Sequence, residues 1–164
     1  VLDISQGVAG PYAAKLLGGM GADVISVEPP VYGDYARLTP PFFEDDPHVE
    51  KSGLFLYLNT DKRSITLDLS SEQGQIIIKP LIEWADIVVE NYAPGTLENW
   101  GLGYKDIEAI SSNTTLVSIT GFGQSGPYKN YQDTNLISLA LGGLFYFKLN
   151  FLYNLFRWVT SNNW

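Results

Sequence analysis

The feature that most constrains this chain is a regular alternation of short β-branched runs with Gly-opened or amphipathic segments. "VLDIS" (1–5), "ADVISVE" (22–28), "RSITLDL" (63–69), "DIVVEN" (86–91) and "TTLVSITG" (114–121) read as strands. Between the first two, "QGVAGPYAAKLLGGMG" turns through Gly7 and Gly10 into a helix. Pro11 falls in the first helical turn, where its missing N–H costs nothing. Ser70 and Gln73 predict a capping box before the helix "EQGQIIIKPLIEWA", which Pro80 should kink or end early. "PGTLENWGL" and "YKDIEAIS" predict two short helices. Units of this kind build a mostly parallel sheet with helices on both faces, an α/β architecture.

That topology says where to look for a site, because ligands of open α/β sheets bind beyond the carboxyl ends of the strands. The rule selects Gln6 to Gly10, Glu28 to Arg37, Asn91 to Pro94, and Gly121 to Asn135. The Pro-rich segment from Pro29 to about Lys51 reads as one long loop, a length usually tied to function or disorder. A formal charge of −8 in 164 residues makes a nucleic-acid backbone an unsuitable partner. One local basic pocket for a small anion remains compatible with ten Lys and Arg. The chain has no Cys and a single His, His48, in the polar run "EDDPHVEK", so neither thiolate chemistry nor a His-rich metal site is expected.

The chain lacks a basic signal-peptide head and an apolar run approaching the roughly 20 residues of a membrane span, which predicts a cytoplasmic protein without a membrane partner. The strand at residue 1 and the missing initiator Met predict further residues upstream. The last segment, "FKLNFLYNLFRWVTSNNW" (147–164), breaks the strand–loop–helix pattern. We expect it to be either an apolar tail or a frameshifted reading of its gene.

No single motif carries the chemistry. Gly7-x-x-Gly10-Pro is not the dinucleotide fingerprint, although backbone N–H groups there suit an anion as well as a plain tight turn. Arg37, close to Tyr32 and Tyr35, suits a phosphate and a flat ring, or a solvated loop. Lys62 and Arg63, adjacent cations before a strand, are expected to be solvated. Asn91 and Tyr92 end a strand before Pro94-Gly95. Ser125 has no His to activate it.

Taken together and in order, four stretches resemble the class III coenzyme A transferases. They are "VLDISQGVAGPYAAKLLGGMGADVISVEPPVYGDYARL", "SGLFLYLNTDKRSITLDL", "ADIVVENYAPGTLENWGLGYKDI" and "VSITGFGQSGPYKNY". This family includes formyl-CoA and carnitinyl-CoA transferases and α-methylacyl-CoA racemases. The resemblance covers residues 1–146 and implies the N-terminal part of a Rossmann-like large domain, in a protein that works as an interlocked homodimer. It implies CoA or acyl-CoA as substrate, with a carboxylic acid as the second reactant and no metal.

By the same resemblance Val8 and Ala9 line the CoA site, Arg37 contacts the phosphates, and Asn91 with Tyr92 holds the adenine or pantetheine part. CoA carries a 3′-phosphate, a pyrophosphate and a purine, so an Arg, helix N-termini and an aromatic ring are suitable tools. Several positions depart from relatives: Asn99 where an Arg is frequent, Gln132 where the formyl-CoA branch has Lys, and Thr134 where racemases have the His that moves a proton. The transferase reaction needs an Asp that attacks the acyl-CoA thioester and then carries CoA as an aspartyl thioester. The resemblance places that Asp about thirty residues later than the stretch "GFGQSGPYKNYQDTNLISLALGG", beyond a loop that follows the "ALGG" helix. No Asp or Glu follows Asp133 in this chain, and Asn135 stands at a usually acidic supporting position. The expectation is therefore a CoA-transferase fragment without its catalytic residue. The alternatives are a non-catalytic CoA-binding module and a relative of the racemase branch.

Overall fold

The computed structural model describes residues 1–144. The expected tail at 147–164, and the last residues of the 1–146 unit, lie outside the described residues. Five parallel strands form one sheet in the order β3-β2-β1-β4-β5. They are β1 (Leu2–Asp3), β2 (Ile25–Glu28), β3 (Arg63–Thr66), β4 (Ile87–Glu90) and β5 (Thr115–Ser118). Leu2 pairs in register with Ile25 on one side and Val88 on the other, which makes β1 the centre of the sheet. The chain works outward from β1 to β3, then returns to β4 and β5. That reversal leaves a crevice at the carboxyl ends of β1 and β4.

Side-chain alternation divides the core into two layers. Leu2, Ile4, Ile25, Val27 and Val88 face Ile78 and Ile82 of α3 (Glu72–Trp84) and Ile107 of α5 (Tyr104–Ile110). Val1, Val24 and Val89 face Ala14 of α1 (Ala9–Gly19). Period-two geometry therefore turns neighbouring residues to opposite layers, and both faces carry helices as the sequence pattern predicts. The short helices are α4 (Thr96–Asn99) and α6 (Asn135–Leu141).

Local chemistry differs from the sequence reading at four places. Ser71, not Ser70, caps α3: its hydroxyl accepts the Gly74 N–H at 3.0 Å, while the Ser70 hydroxyl donates to Asp68 at 2.6 Å. Pro80 neither ends nor splits α3, which runs on to Trp84. Pro80 and Ile76, whose carbonyl loses its partner, both lie on the exposed side, where water can hydrate the freed group. The Pro29–Lys51 segment contains two 3-10 turns, Tyr35–Leu38 and Phe43–Asp45. Just after it comes α2 (Gly53–Leu58), capped by the Ser52 hydroxyl, which accepts the Phe55 N–H at 3.2 Å.

The fourth difference concerns Lys62. It is buried, with 1% of its side chain exposed, and pairs with fully buried Asp3 at 2.9 Å. Its ammonium group also donates to the Pro11 carbonyl at 2.8 Å and the Asn59 carboxamide at 2.9 Å. All three N–H donors are thereby used. Asp3 accepts in addition from the Ser5 N–H at 3.1 Å and from the Ser5 hydroxyl. Arg63 does stay in solvent, paired with exposed Asp23 at 2.6 Å.

Removing one partner of a buried pair leaves an uncompensated charge, which typically costs about 3–5 kcal/mol, whereas an exposed pair contributes about 0–1 kcal/mol. Urea denaturation should therefore show Lys62→Met destabilised by about 3–5 kcal/mol. Arg63→Ala should remain within about 1 kcal/mol of the parent.

Candidate functional site

The loop after β1 is built to be rigid where it opens the crevice. Gly7 has φ +78°, the left-handed region that glycine enters freely, and the Tyr35 ring occupies the space a Cβ would need. The Gly7 N–H donates to both oxygens of buried Asp34, at 2.8 and 2.9 Å. From the other side, the Asn91 carboxamide pairs with the main chain of Gln6 in both directions, accepting at 2.8 Å and donating at 2.7 Å. The Gln6 carboxamide donates to the Tyr92 hydroxyl at 3.2 Å, and Tyr92 stands edge-on to Trp100 with ring centroids 5.0 Å apart. The loops after β1, β2 and β4 thus hold one another.

A cleft of about 790 Å³ opens over this assembly. Ala9, Asn91 and Tyr92 line it together, as do Tyr35, Lys129 and Asp133. Ala9 is the first residue of α1, whose first turn carries no acidic side chain of its own, so the N–H end of that helix meets the cleft, with Asp133 as the cleft's carboxylate. Val8 precedes it, is half exposed, and is not part of the cleft wall. Arg37 is not in the cleft either. It lines a separate depression of about 200 Å³ with Glu28, Tyr32, Glu50, Ser64 and Thr66. The expected site residues are therefore divided: Ala9, Asn91 and Tyr92 converge, whereas Arg37 lies in a neighbouring hollow.

Asn135 is the first residue of α6 and is exposed. Thr134 caps that helix, its hydroxyl accepting the Ile137 N–H at 3.3 Å. Asp133, within the Gly121 to Asn135 loop, forms part of the cleft wall, packs where Gly121 lacks a Cβ, and accepts a hydrogen bond from the Ser138 hydroxyl. Gln132 lines the cleft as well, and Asn99 ends α4.

Sequence reasoning also missed three buried carboxylates at this edge: Glu28, Asp34 and Glu90. Two of them are the last residues of β2 and β4, and an acid ending an apolar strand was the available signal. Burial opposes ionisation of Glu28, but hydrogen bonds from Arg37, Ser64 and the Asp34 N–H together hold its carboxyl below the usual range. Burial raises Asp34 despite the N–H groups of Ala36 and Gly7. Burial likewise raises Glu90, which accepts the Tyr92 N–H at 2.8 Å and pairs with no cation among the described residues. Burial also pushes the Tyr92 hydroxyl up, so the phenol stays neutral. Among the described residues no cluster of three or more His, Asp or Glu side chains could hold a metal ion, and no helix is long and apolar enough to cross a membrane.

A five-stranded parallel sheet with helices on both faces and a cleft at its carboxyl edge places the described residues in the doubly wound α/β class. The sequence model of CoA-transferase family III matches residues 1–149, and the chain belongs to that family. It is 39% identical over 146 residues to the succinyl-CoA–D-citramalate CoA-transferase of Chloroflexus aurantiacus, covering 88% of this chain and 35% of that protein. It is 41% identical over 145 residues to the succinyl-CoA:glutarate CoA-transferase of Mus musculus, covering 88% of this chain and 32% of that one. Among solved structures, a CaiB/BaiF family protein from Brucella suis superposes with a TM-score of 0.78 at 38% identity, over 87% of this chain and 37% of the other. The chain thus spans about a third of the length of these curated relatives.

The raised Glu90 carboxyl gives a pH test with a definite sign. A folded-state value above the ordinary 4.5 adds stability that is complete below that value and is lost as pH rises through the folded one. Glu90→Gln keeps an acceptor for the Tyr92 N–H but cannot ionise. Thermal melts should therefore show the variant gaining on the parent steadily as pH rises from 4.5, with little difference below it. A constant offset at every pH would exclude the burial argument.

Proposed function

We propose that this chain is the CoA-holding part of a CoA-transferase, which moves coenzyme A from an acyl-CoA donor to a carboxylic acid through an aspartyl-CoA thioester. The observation that carries this reading is the cleft over the carboxyl ends of β1 and β4. There Ala9 at a helix N-terminus, Asn91 and Tyr92 converge, in a chain of the CoA-transferase family. In this reading the cleft takes the nucleotide or pantetheine part of CoA, Val8 flanks its entrance, and Arg37 receives a phosphate. Succinyl-CoA, present in the names of both relatives above, is the donor to test first.

The chain alone is proposed not to turn over, because it contains no carboxylate beyond Asp133 to form the thioester. That feature also supports a CoA-binding module as the second reading. The racemase branch is disfavoured: at the position of the racemase base stands Thr134, whose hydroxyl is committed to the cap of α6. Homodimer formation and a cytoplasmic setting belong to the same proposal and rest on the resemblance.

Titration calorimetry should show CoA binding, with Asn91→Ala weaker by about tenfold, since losing its paired carboxamide costs on the order of 1–3 kcal/mol. Mixing the chain with succinyl-CoA and glutarate should yield no glutaryl-CoA. CoA-silent calorimetry would remove the CoA reading, and measurable transfer would remove the claim of inactivity.

A further inference from the structure

The hollow around Arg37 has a construction that its role as a phosphate contact does not by itself explain. The guanidinium is fixed from two sides. Its Nε and Nη2 donate to the two oxygens of Glu28 at 2.6 and 3.0 Å, and the Phe55 ring lies 3.6 Å from Cζ beneath its plane. Glu28 is itself locked, accepting the Ser64 hydroxyl at 2.7 Å and the Asp34 N–H at 3.1 Å. The one edge of the fork that remains is that of Nη1 and Nη2. Glu50 occupies it with a single oxygen 3.1 Å from Nη1, beside the Val49 carbonyl at 3.3 Å.

The two carboxylates are not equivalent. The Glu28 side chain is 6% exposed and that of Glu50 is 69% exposed. Glu28 aims the fork, and Glu50 is a weakly held, solvent-facing occupant of its open edge.

We propose that Glu50 is a specificity determinant: a built-in competitor that lets a phosphomonoester dianion take the open edge of Arg37 and turns carboxylates away. The inference rests on the CoA-transferase reading, in which one reactant carries a 3′-phosphate and the others are acids. A free carboxylate that displaces Glu50 replaces one negative charge with one negative charge, and so gains no attraction while losing its own freedom. A phosphomonoester brings nearly two charges at neutral pH and three acceptor oxygens, enough to bridge Nη1 and Nη2. Ser64 and Thr66 line the same hollow. The acid substrates are therefore kept off the open edge of Arg37.

The test titrates the chain and Glu50→Gln with CoA and with dephospho-CoA at low ionic strength, then repeats the CoA titration in millimolar succinate. Among the described residues the Glu50 side chain hydrogen-bonds only to Arg37, and its N–H, which donates to His48, is untouched by the substitution, so the variant should fold. Removing the competitor should tighten CoA by about three- to tenfold, leave dephospho-CoA within about twofold, and make succinate compete where it does not in the parent. Glu44→Gln, the same charge change on an exposed residue of the same segment, should leave all three unchanged. CoA bound only by Glu50→Gln would mean that Glu50 turns the phosphate away along with the acids, and would overturn the proposal. CoA bound equally by parent and variant, or dephospho-CoA tightening as much as CoA, overturns the competitor and leaves the CoA reading standing. CoA bound by none of the proteins overturns both.

Discussion

The buried Lys62–Asp3 pair is the interaction on which the positions of the other elements depend. Asp3 is in the central strand, and the Lys62 ammonium group reaches it from the start of β3 while also holding the Pro11 carbonyl of α1 and Asn59 at the end of α2. One nitrogen thereby ties β1 and α1 to the end of α2, with Lys62 lying 59 positions from Asp3 and 51 from Pro11. Burying two charges is expensive, and their attraction offsets that cost only when every remaining donor and lone pair is satisfied. Here each Lys62 donor has a partner, and Ser5 completes Asp3. The arrangement also places α1, and with it Ala9, at the crevice.

The carboxyl edge follows a related logic. An acidic protein places four of its buried carboxylates, Asp3, Glu28, Asp34 and Glu90, in or just beyond the strands, where they accept hydrogen bonds from main-chain N–H groups of the loops. These acids set the shape of the site more than they meet a ligand. Asp34 holds Gly7, Glu28 aims Arg37, and Glu90 holds the turn at Tyr92. The cleft wall itself is lined by the carboxamides of Asn91, Asn130 and Gln132, by phenols, by Lys129 and Asp133, and by the N–H end of a helix at Ala9.

Much of the fold was legible in the sequence, because β-branched runs and Gly-opened helices are local signals. All five strands fall inside their expected ranges, with the ends trimmed where register with a neighbour stops. The cleft residues Asn91, Tyr92 and Ala9 followed from the topological rule and the resemblance. What was not legible depended on contacts between distant segments. Nothing near Lys62 in sequence distinguishes it from Arg63, yet one is buried against a residue 59 positions away and the other faces water. Asp133 fell within the selected loop, but its exact place depends on the missing side chain of Gly121. Arg37 was read as a residue type suited to an anion, and its separation from the cleft depends on Glu28 and Phe55, which sequence spacing does not connect.

The 3-10 turn Tyr35–Leu38 has a mechanical consequence. With three residues per turn, each step rotates a side chain by about 120°, so Tyr35 and Arg37 diverge into two hollows although only one residue separates them. Asp34 pins the start of this turn by accepting the Ala36 N–H at 2.8 Å. Any twist of so short a spindle moves both side chains at once and in fixed proportion. A molecule gripping the cleft at one end and the Arg37 hollow at the other would thus be measured for length by a single turn of backbone, and a one-residue insertion there would change the gauge for both ends together.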